Sequence, residues 1–354
     1  MNRPNLQTIR MMLLGLALLL GAGATTAFLI HRGDSQHSRS VAPSAGGKGI
    51  QRAIAKLGSQ GGEIMLTAGI YECEEPIIIR SNYITLRGAG NATVLRLKSG
   101  ANCPVLIIGD EAATPRREVS GVQVSDFTID GNRSQQDMEC WDGSCDTGDK
   151  TVIRSCGVVV RRATDVSIER LSISGCRSAG LVTEKGCRRL TIRELRASDN
   201  HFDGLACYET EESLFEGLHL DRNECAGIST DLDFNHNLVS NVMLSNNGKQ
   251  GIFMRDSRRN VFLGVVIIGS GEQGVFLAQT DKDPESGAVG NSFTALTVTG
   301  SKGPAFRVND KSCRDNVMTA CQFIDNGEGG LSEVTSGLVS MGSSLKESVT
   351  SEGK

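Results

Sequence analysis

From residue 157 onward the chain alternates short apolar runs with polar or glycine breaks, and the alternation repeats. Val158-Val159-Val160, Val166-Ser167-Ile168 and Leu171-Ser172-Ile173 are three β-type triplets in one lap. Leu181-Val182-Thr183, Leu190-Thr191-Ile192 and Leu195-Arg196-Ala197 repeat them, and the layout runs on to Val265-Val266-Ile267. Each lap opens on a glycine: Gly157, Gly180, Gly204, Gly227, Gly251 and Gly274, at intervals of 23, 24, 23, 24 and 23 residues. No 3.6-residue apolar rhythm runs through these laps, which argues against a helical array. A fixed period of roughly 20–50 residues marks a stacked-repeat architecture. Three strands and three turns per lap describe one coil of a parallel β-helix, an all-β solenoid.

The ends of the solenoid are legible in the same way. Residues 48–58 form an amphipathic segment with Ile50, Ile54 and Leu57 on one side, followed by Gly61-Gly62. An open solenoid end exposes unpaired backbone and apolar core, so this short helix is expected to cap it. Coils then run from residue 48 to residue 330, and the Ser/Gly-rich residues 331–354 read as a fraying tail. Two insertions interrupt the rhythm, at about 133–152 and at 280–290. The first carries the lone tryptophan, and solenoid insertions map to loops on one face, often the binding face.

Residues 11–30 contain no charge and follow Arg3 and Arg10. They read either as a secretory signal cut near Ala24 or as a signal anchor, and both readings export the rest of the chain. Residues 33–47 then read as a linker. The membrane enters only through this N-terminal segment. A net charge of −4 without a basic, aromatic-studded face gives no support for a nucleic-acid partner. Aromatic residues make up only 4% of the chain while glycine reaches 42, which suits a core of stacked Val, Ile and Leu with glycine at turns. The eleven cysteines show no paired CxxC spacing, so no metal site is assigned. Cys140 and Cys145 are placed to form a local disulfide, and Cys207 reads as a small core residue. No cofactor is implied; calcium is chemically conceivable beside the carboxylates, but no ligand loop with dedicated spacing appears. The oligomeric state is left open.

Side chains alternate across a strand. In the phrase Gly-x1-x2-x3-x4, the x1 and x3 residues (Leu181/Thr183, Leu205/Cys207, Ile228/Thr230, Ile252/Met254) belong to the core. The x4 residues Arg161, Glu184, Tyr208, Asp231 and Arg255 then point outward as one column, with coils about 4.8 Å apart. His201 and Asp203 lie at the edge of that face, and Asp233 continues outward beyond Asp231. Such a long flat groove suits an extended polymer. Ordinary cross-strand pairing, Arg161 with Glu184 and Asp231 with Arg255, explains the same charges equally well.

Two chemistries are compatible with the column. Abstraction of the proton beside a uronate carboxylate needs a neutralising cation, a base and an acid. Arg161 or Arg255 supplies the first, His201 or Tyr208 the others, with Asp203 orienting the histidine. Hydrolysis needs two carboxyls instead. Glu184 and Asp231 are two coils apart, about 9–10 Å between Cβ atoms, near the upper end of the ~6.5–9.5 Å range of inverting enzymes. The catalytic candidates are therefore Asp203, His201, Tyr208, Glu184 and Asp231, and the substrate-binding candidates Arg161, Arg255 and Asp233. Asn200, Asn223 and Asn246, at spacings of 23, are expected to stack as an amide ladder inside a turn.

Across residues 48–330 the chain resembles the pectate-lyase-like right-handed β-helix superfamily. The capping phrase GIQRAIAKLGSQGGEIMLTAGIYECEEPIII is similar to the entry segment of many carbohydrate-active members. VSDFTIDGNR and NHFDGL resemble stretches of mannuronan C5-epimerases and alginate lyases, which carry an Asp just before a coil-opening glycine, matched here by Asp203. Their Asp-Pro-His-type motif one coil earlier has no counterpart, since Val182 and Glu184 occupy its slots. The resemblance implies a right-handed helix acting on an extended acidic polysaccharide, as lyase or epimerase before hydrolase. A non-catalytic carbohydrate-binding or cell-envelope module is the alternative.

Overall fold

The computed structural model describes residues 37–137, 153–280, 286–333, 338–342 and 344–346. The chain divides into two units, Met1–Ser38 and Arg39–Lys354, and the solenoid is the second. Each coil-opening glycine leads into a four-residue strand: Val158–Arg161, Leu181–Glu184, Leu205–Tyr208, Ile228–Asp231, Ile252–Arg255 and Val275–Ala278. These strands stack in parallel, with Val158 paired to Leu181, Leu181 to Leu205, Leu205 to Ile228, Ile228 to Ile252 and Ile252 to Val275. The 23- and 24-residue intervals are thus one lap each, and the expected parallel β-helix is the observed one.

Among the described residues the coils form three sheets. The opening sheet has ten strands and a narrow sheet of two-residue strands, including Cys187–Arg188 and Thr210–Glu211, has six. A bent sheet of nineteen strands closes each lap. The second and third apolar triplets share this bent sheet: Ser167–Ser174 is one strand, bent at Arg170 with φ 52°. The narrow sheet was not legible, because two residues leave no alternation to read.

The corners are made by left-handed residues stacked coil upon coil, one or two to a corner, and most are not glycine. Arg162, Lys185, Glu209 and Leu232 turn out of the opening sheet, and Asp165, Arg189, Glu212 and His236 turn out of the narrow one, all with positive φ. At three corners an Asp and the Arg one lap later form a two-pronged ion pair: Asp126 with Arg170, Asp165 with Arg189 and Asp199 with Arg222, at 2.7–3.0 Å. The repeated glycines serve another purpose. A Cβ on Gly204 would lie 2.8 Å from Asn223 Nδ2 and 2.9 Å from the Gly227 carbonyl, so these positions are glycine because neighbouring laps approach closely.

The core is a column of aliphatic and phenylalanine side chains along the axis, and the x1 and x3 residues are buried in it as expected, Cys207 included. The amide ladder exists with one rung corrected. Asn200 Nδ2 donates to Asn223 Oδ1 at 2.8 Å and Asn223 Nδ2 to Asn247 Oδ1 at 3.0 Å. Asn246, the predicted rung, is exposed at the left-handed corner. The lap from 223 is 24 residues, which moves the buried amide one place on. A second ladder, Asn237, Asn260, Asn291 and Asn316, runs where the narrow sheet meets the bent one.

The capping helix is Gly46–Leu57, with Ile50, Ile54 and Leu57 buried against the first coils. It ends at Gly58, φ 58°, whose N–H donates to the Ile54 carbonyl, three residues before the expected glycine pair. The linker reading extends too far: Val41 is buried, Tyr71 Oη donates to its carbonyl at 2.6 Å, and a 3-10 turn follows at Pro43–Ala45. The tail reading starts too early, since strands Leu331–Glu333, Leu338–Met341 and Ser344–Lys346 continue the stack. Residues 11–30, Cys140, Cys145 and the lone tryptophan lie outside the described residues. Among the described residues no helix is long and apolar enough to cross a membrane.

Candidate functional site

A pocket of about 170 Å³ opens on the outer face of the opening sheet, and three successive laps build it. The lap at Gly204 contributes Phe202, Asp203 and Tyr208. The next contributes Cys225, Ala226, Ser229 and Asp231, and the third Lys249, Gln250, Phe253 and Arg255. Each group holds equivalent positions of its lap: the two residues before the glycine, then x2 and x4. Stacking at a fixed register is what converts residues 23 or 24 apart into neighbours.

Asp203 is the chemically distinctive member. It is 1% exposed, where the sequence placed it at an open edge. Its pre-glycine position is filled by Cys156 and Ala179 in earlier laps and by Ala226, Gln250 and Gln273 in later ones, so it is the single charge in that column. Oδ1 accepts the Ala226 N–H at 2.8 Å, and Oδ2 is buried without a hydrogen-bond partner. A small apolar cluster of Cys156, Val159, Ala179, Val182 and Ala206 lies outside the main core, and Phe202 and Tyr208, packed on it, also line the pocket with Asp203. Burial pushes the carboxyl up to about 7; the Ala226 N–H, the Ser229 hydroxyl and the Lys249 charge offset part of that rise.

Tyr208 lies across the same pocket, half-buried. Burial and the Asp203 charge push its phenol well above the ordinary range, while the Ser229 hydroxyl pulls it down. Ser229 lines the same pocket as both groups. One pocket therefore holds a carboxyl that titrates near neutrality and a phenol that keeps its proton, an arrangement suited to acid–base chemistry. Lys249 stands exposed at the rim and forms no ion pair among the described residues. Cys225 also lines the pocket, but burial holds its thiol at about 11, protonated and unreactive.

The other predicted residues fall elsewhere or are already engaged. Arg161 holds an outward position but is only 2% exposed; it pairs with Glu184 at 2.6 Å and donates to the Asp110 carbonyl. Asp231 is 6% exposed, and its Oδ2 is held by Arg255 Nε at 3.0 Å and Nη2 at 2.5 Å. The cross-strand reading of these four charges is the correct one, and Glu184 and Asp231 are not a free carboxyl pair. His201 does not meet Asp203: its Nδ1 lies 2.6 Å from Glu224 Oε2, one lap later, and Glu224 also holds Arg133. Asp233 does not extend the Asp231 strand, because Leu232 and Asp233 both have positive φ and carry the chain around the corner.

Lys249, Ser229, Gln250 and Phe253 were missed. The signal for Ser229 and Phe253 was present, since alternation sends x2 outward as surely as x4. Lys249 and Gln250 precede a glycine, where no strand alternation applies.

Three comparisons place the chain. The model of the right handed beta helix region matches residues 117–293, half of the chain. Mannuronan C5-epimerase AlgE5 of Azotobacter vinelandii is 30% identical over 217 residues, 58% of this chain and 20% of that protein. The chain thus spans about a fifth of that curated relative's length. Among solved structures, the A-module of Azotobacter vinelandii mannuronan C-5 epimerase AlgE4 aligns with a TM-score of 0.53 at 17% identity, covering 85% of this chain and 92% of that one. An alginate lyase from a Paenibacillus species aligns at 0.59 and 13% identity, covering 85% and 99%. At these identities the structural likeness is one of fold. With the family model spanning half its length and its coils stacked in parallel, the chain belongs to the right-handed β-helix family.

Proposed function

We propose that the outer face of the opening sheet engages an extended acidic polysaccharide and acts on it as a lyase or epimerase. In this reading Lys249 neutralises a uronate carboxylate, which acidifies the adjacent ring proton, and the Asp203 carboxylate accepts that proton. Tyr208 then donates its proton, either to the departing glycosidic oxygen, leaving an unsaturated ring, or back to the ring carbon from the other face, inverting it. The observation that carries the reading is the Asp203 Oδ2, buried, unpartnered and sharing one pocket with Tyr208 and Lys249. The names of the relatives, mannuronan epimerases and an alginate lyase, support the substrate class. Hydrolysis is disfavoured because Glu184 and Asp231 are each neutralised by an arginine.

Incubating the full chain with alginate, pectate and related polymers tests this. Absorbance near 232 nm reports an unsaturated uronate and NMR reports ring configuration. Either signal, lost in Asp203→Asn, is expected; neither signal across the panel would reject the reading. The second reading, a binding module, rests on the Ala226 N–H bond to Asp203, which makes that residue a strut between laps. It requires glycan binding with no turnover at any pH. Export rests on the uncharged run 11–30 alone, and the N-terminal mass of protein recovered from an envelope fraction distinguishes cleavage near Ala24 from retention.

A further inference from the structure

Beyond the pocket, toward the C-terminal end, the same outer face carries a second feature. Phe253, Phe276 and Arg307 follow Ser229 in register, one per lap. The Phe253 and Phe276 rings are stacked, with centroids 5.7 Å apart and planes 12° from parallel. Arg255 lies 5.2 Å from the centre of the first ring and Arg307 5.9 Å from the centre of the second. Both rings are only partly buried.

Arg307 differs from the other arginines of this face. Arg161 and Arg255 each hold a carboxylate of this chain. Arg307 forms no ion pair among the described residues; its Nε is buried without a hydrogen-bond partner, as is that of Arg161, so what sets Arg307 apart is that no carboxylate of this chain lies on it. A guanidinium laid on an aromatic ring keeps its charge and its planar fork in a fixed place. A guanidinium that no carboxylate of the chain answers is a seat for an anion the protein does not itself provide. The opposite direction offers no such seat: Val159, Val182 and Ala206 hold the equivalent positions and are buried in the apolar cluster.

We propose that Phe253, Phe276 and Arg307 form a one-sided track for an oligo-uronate, with sugar faces against the rings and a second carboxylate on Arg307. Arg307 lies three laps, about 14 Å, from the strand that carries Ser229 and Asp231. A short oligosaccharide spans that length and a monosaccharide does not. This rests on the pocket being a uronate site and adds to it a direction and a minimum ligand length.

The test is calorimetric binding of oligogalacturonates and oligomannuronates of one to six units to the full chain and its variants. Affinity is expected to climb with length until the ligand reaches Arg307 and then level off. Arg307→Gln should weaken the longer oligomers by about tenfold or more and leave the monomer and dimer unchanged, and Arg307→Lys should recover part of the loss. Asp203→Asn should abolish turnover yet keep the length dependence. A length step lost in Arg307→Gln, without turnover in any protein, would uphold the track and sink the catalytic reading. Turnover without a length step, equal weakening at all lengths, or no binding of any oligomer would overturn the track.

Discussion

Replacing Asp203 by Asn should change how stability depends on pH, and the change has a fixed sign. Burial raises the folded-state carboxyl from its ordinary 3.8 to about 7. Between those values the folded chain holds a proton that the unfolded chain has released, so unfolding becomes easier as pH rises. The stabilising protonated form is fully present below pH 4, is lost progressively as pH climbs to about 7, and the loss is complete above that. At 1.36 kcal/mol for each tenfold change, the span amounts to about 4 kcal/mol. Asn keeps an oxygen for the Ala226 N–H and has no charge to lose. Urea unfolding of both proteins from pH 4 to pH 9 should therefore show the wild type losing about 4 kcal/mol relative to Asp203→Asn by pH 7. The gap should stay flat beyond that. Other titrating groups are common to both chains and cancel in the difference. Curves that run parallel across the range would refute the argument, and with it the use of Asp203 as a neutral-pH base. Where turnover is measured, the wild-type rate should rise with an apparent pKa near 7, because the carboxylate is the proton acceptor.

Three further outcomes follow from the same geometry. Arg255→Met leaves the Asp231 carboxylate buried and unpaired and should cost about 3–5 kcal/mol in chemical unfolding, most of it recovered in the Asp231→Asn/Arg255→Met double variant. Asn223→Ala removes the acceptor for both the backbone N–H and Nδ2 of Asn200 and should cost about 2–4 kcal/mol, whereas Asn246→Gly at the exposed corner should stay within about 1 kcal/mol. Lys249→Ala should raise KM for an anionic substrate and move the pH–rate profile upward, because the Lys249 charge lowers the Asp203 pKa; a profile that does not move would place Lys249 outside the site.

Much of the fold could be read because a stacked lap repeats its constraints. The glycine of each lap recurs because the next lap's backbone passes where a Cβ would be, and that steric demand returns every 23 or 24 residues. The buried x1 and x3 residues recur for the same reason. Corners were less legible, since a left-handed residue can be Arg, Asp, Glu or Lys here when hydrogen bonds and neighbouring laps hold it in place. The Asn ladder shows the limit of counting alone. A 24-residue lap moved the buried amide from Asn246 to Asn247, and the adjacent pair in the sequence does not say which one turns inward. The second ladder escaped because the insertion at 280–290 stretches one of its intervals to 31 residues.

The site was harder to read, for a reason that bears on its function. Outward position on a strand is not exposure: Arg161 and Asp231 hold outward positions and are buried, each against its ion-pair partner. Charges free to pair across laps do so, and pairing removes them from chemistry. What survives as reactive is the group whose neighbours cannot answer it. Asp203 sits in a column of Cys, Ala and Gln, so no cation in that column meets its Oδ2. His201, two residues away, finds Glu224 in its own column and hydrogen-bonds to it. A sequence shows each residue's column but not whether the pair across it closes, and the difference between Asp203 and Asp231 is that one closure: Arg255 stands one lap above Asp231, and above Asp203 stands Ala226.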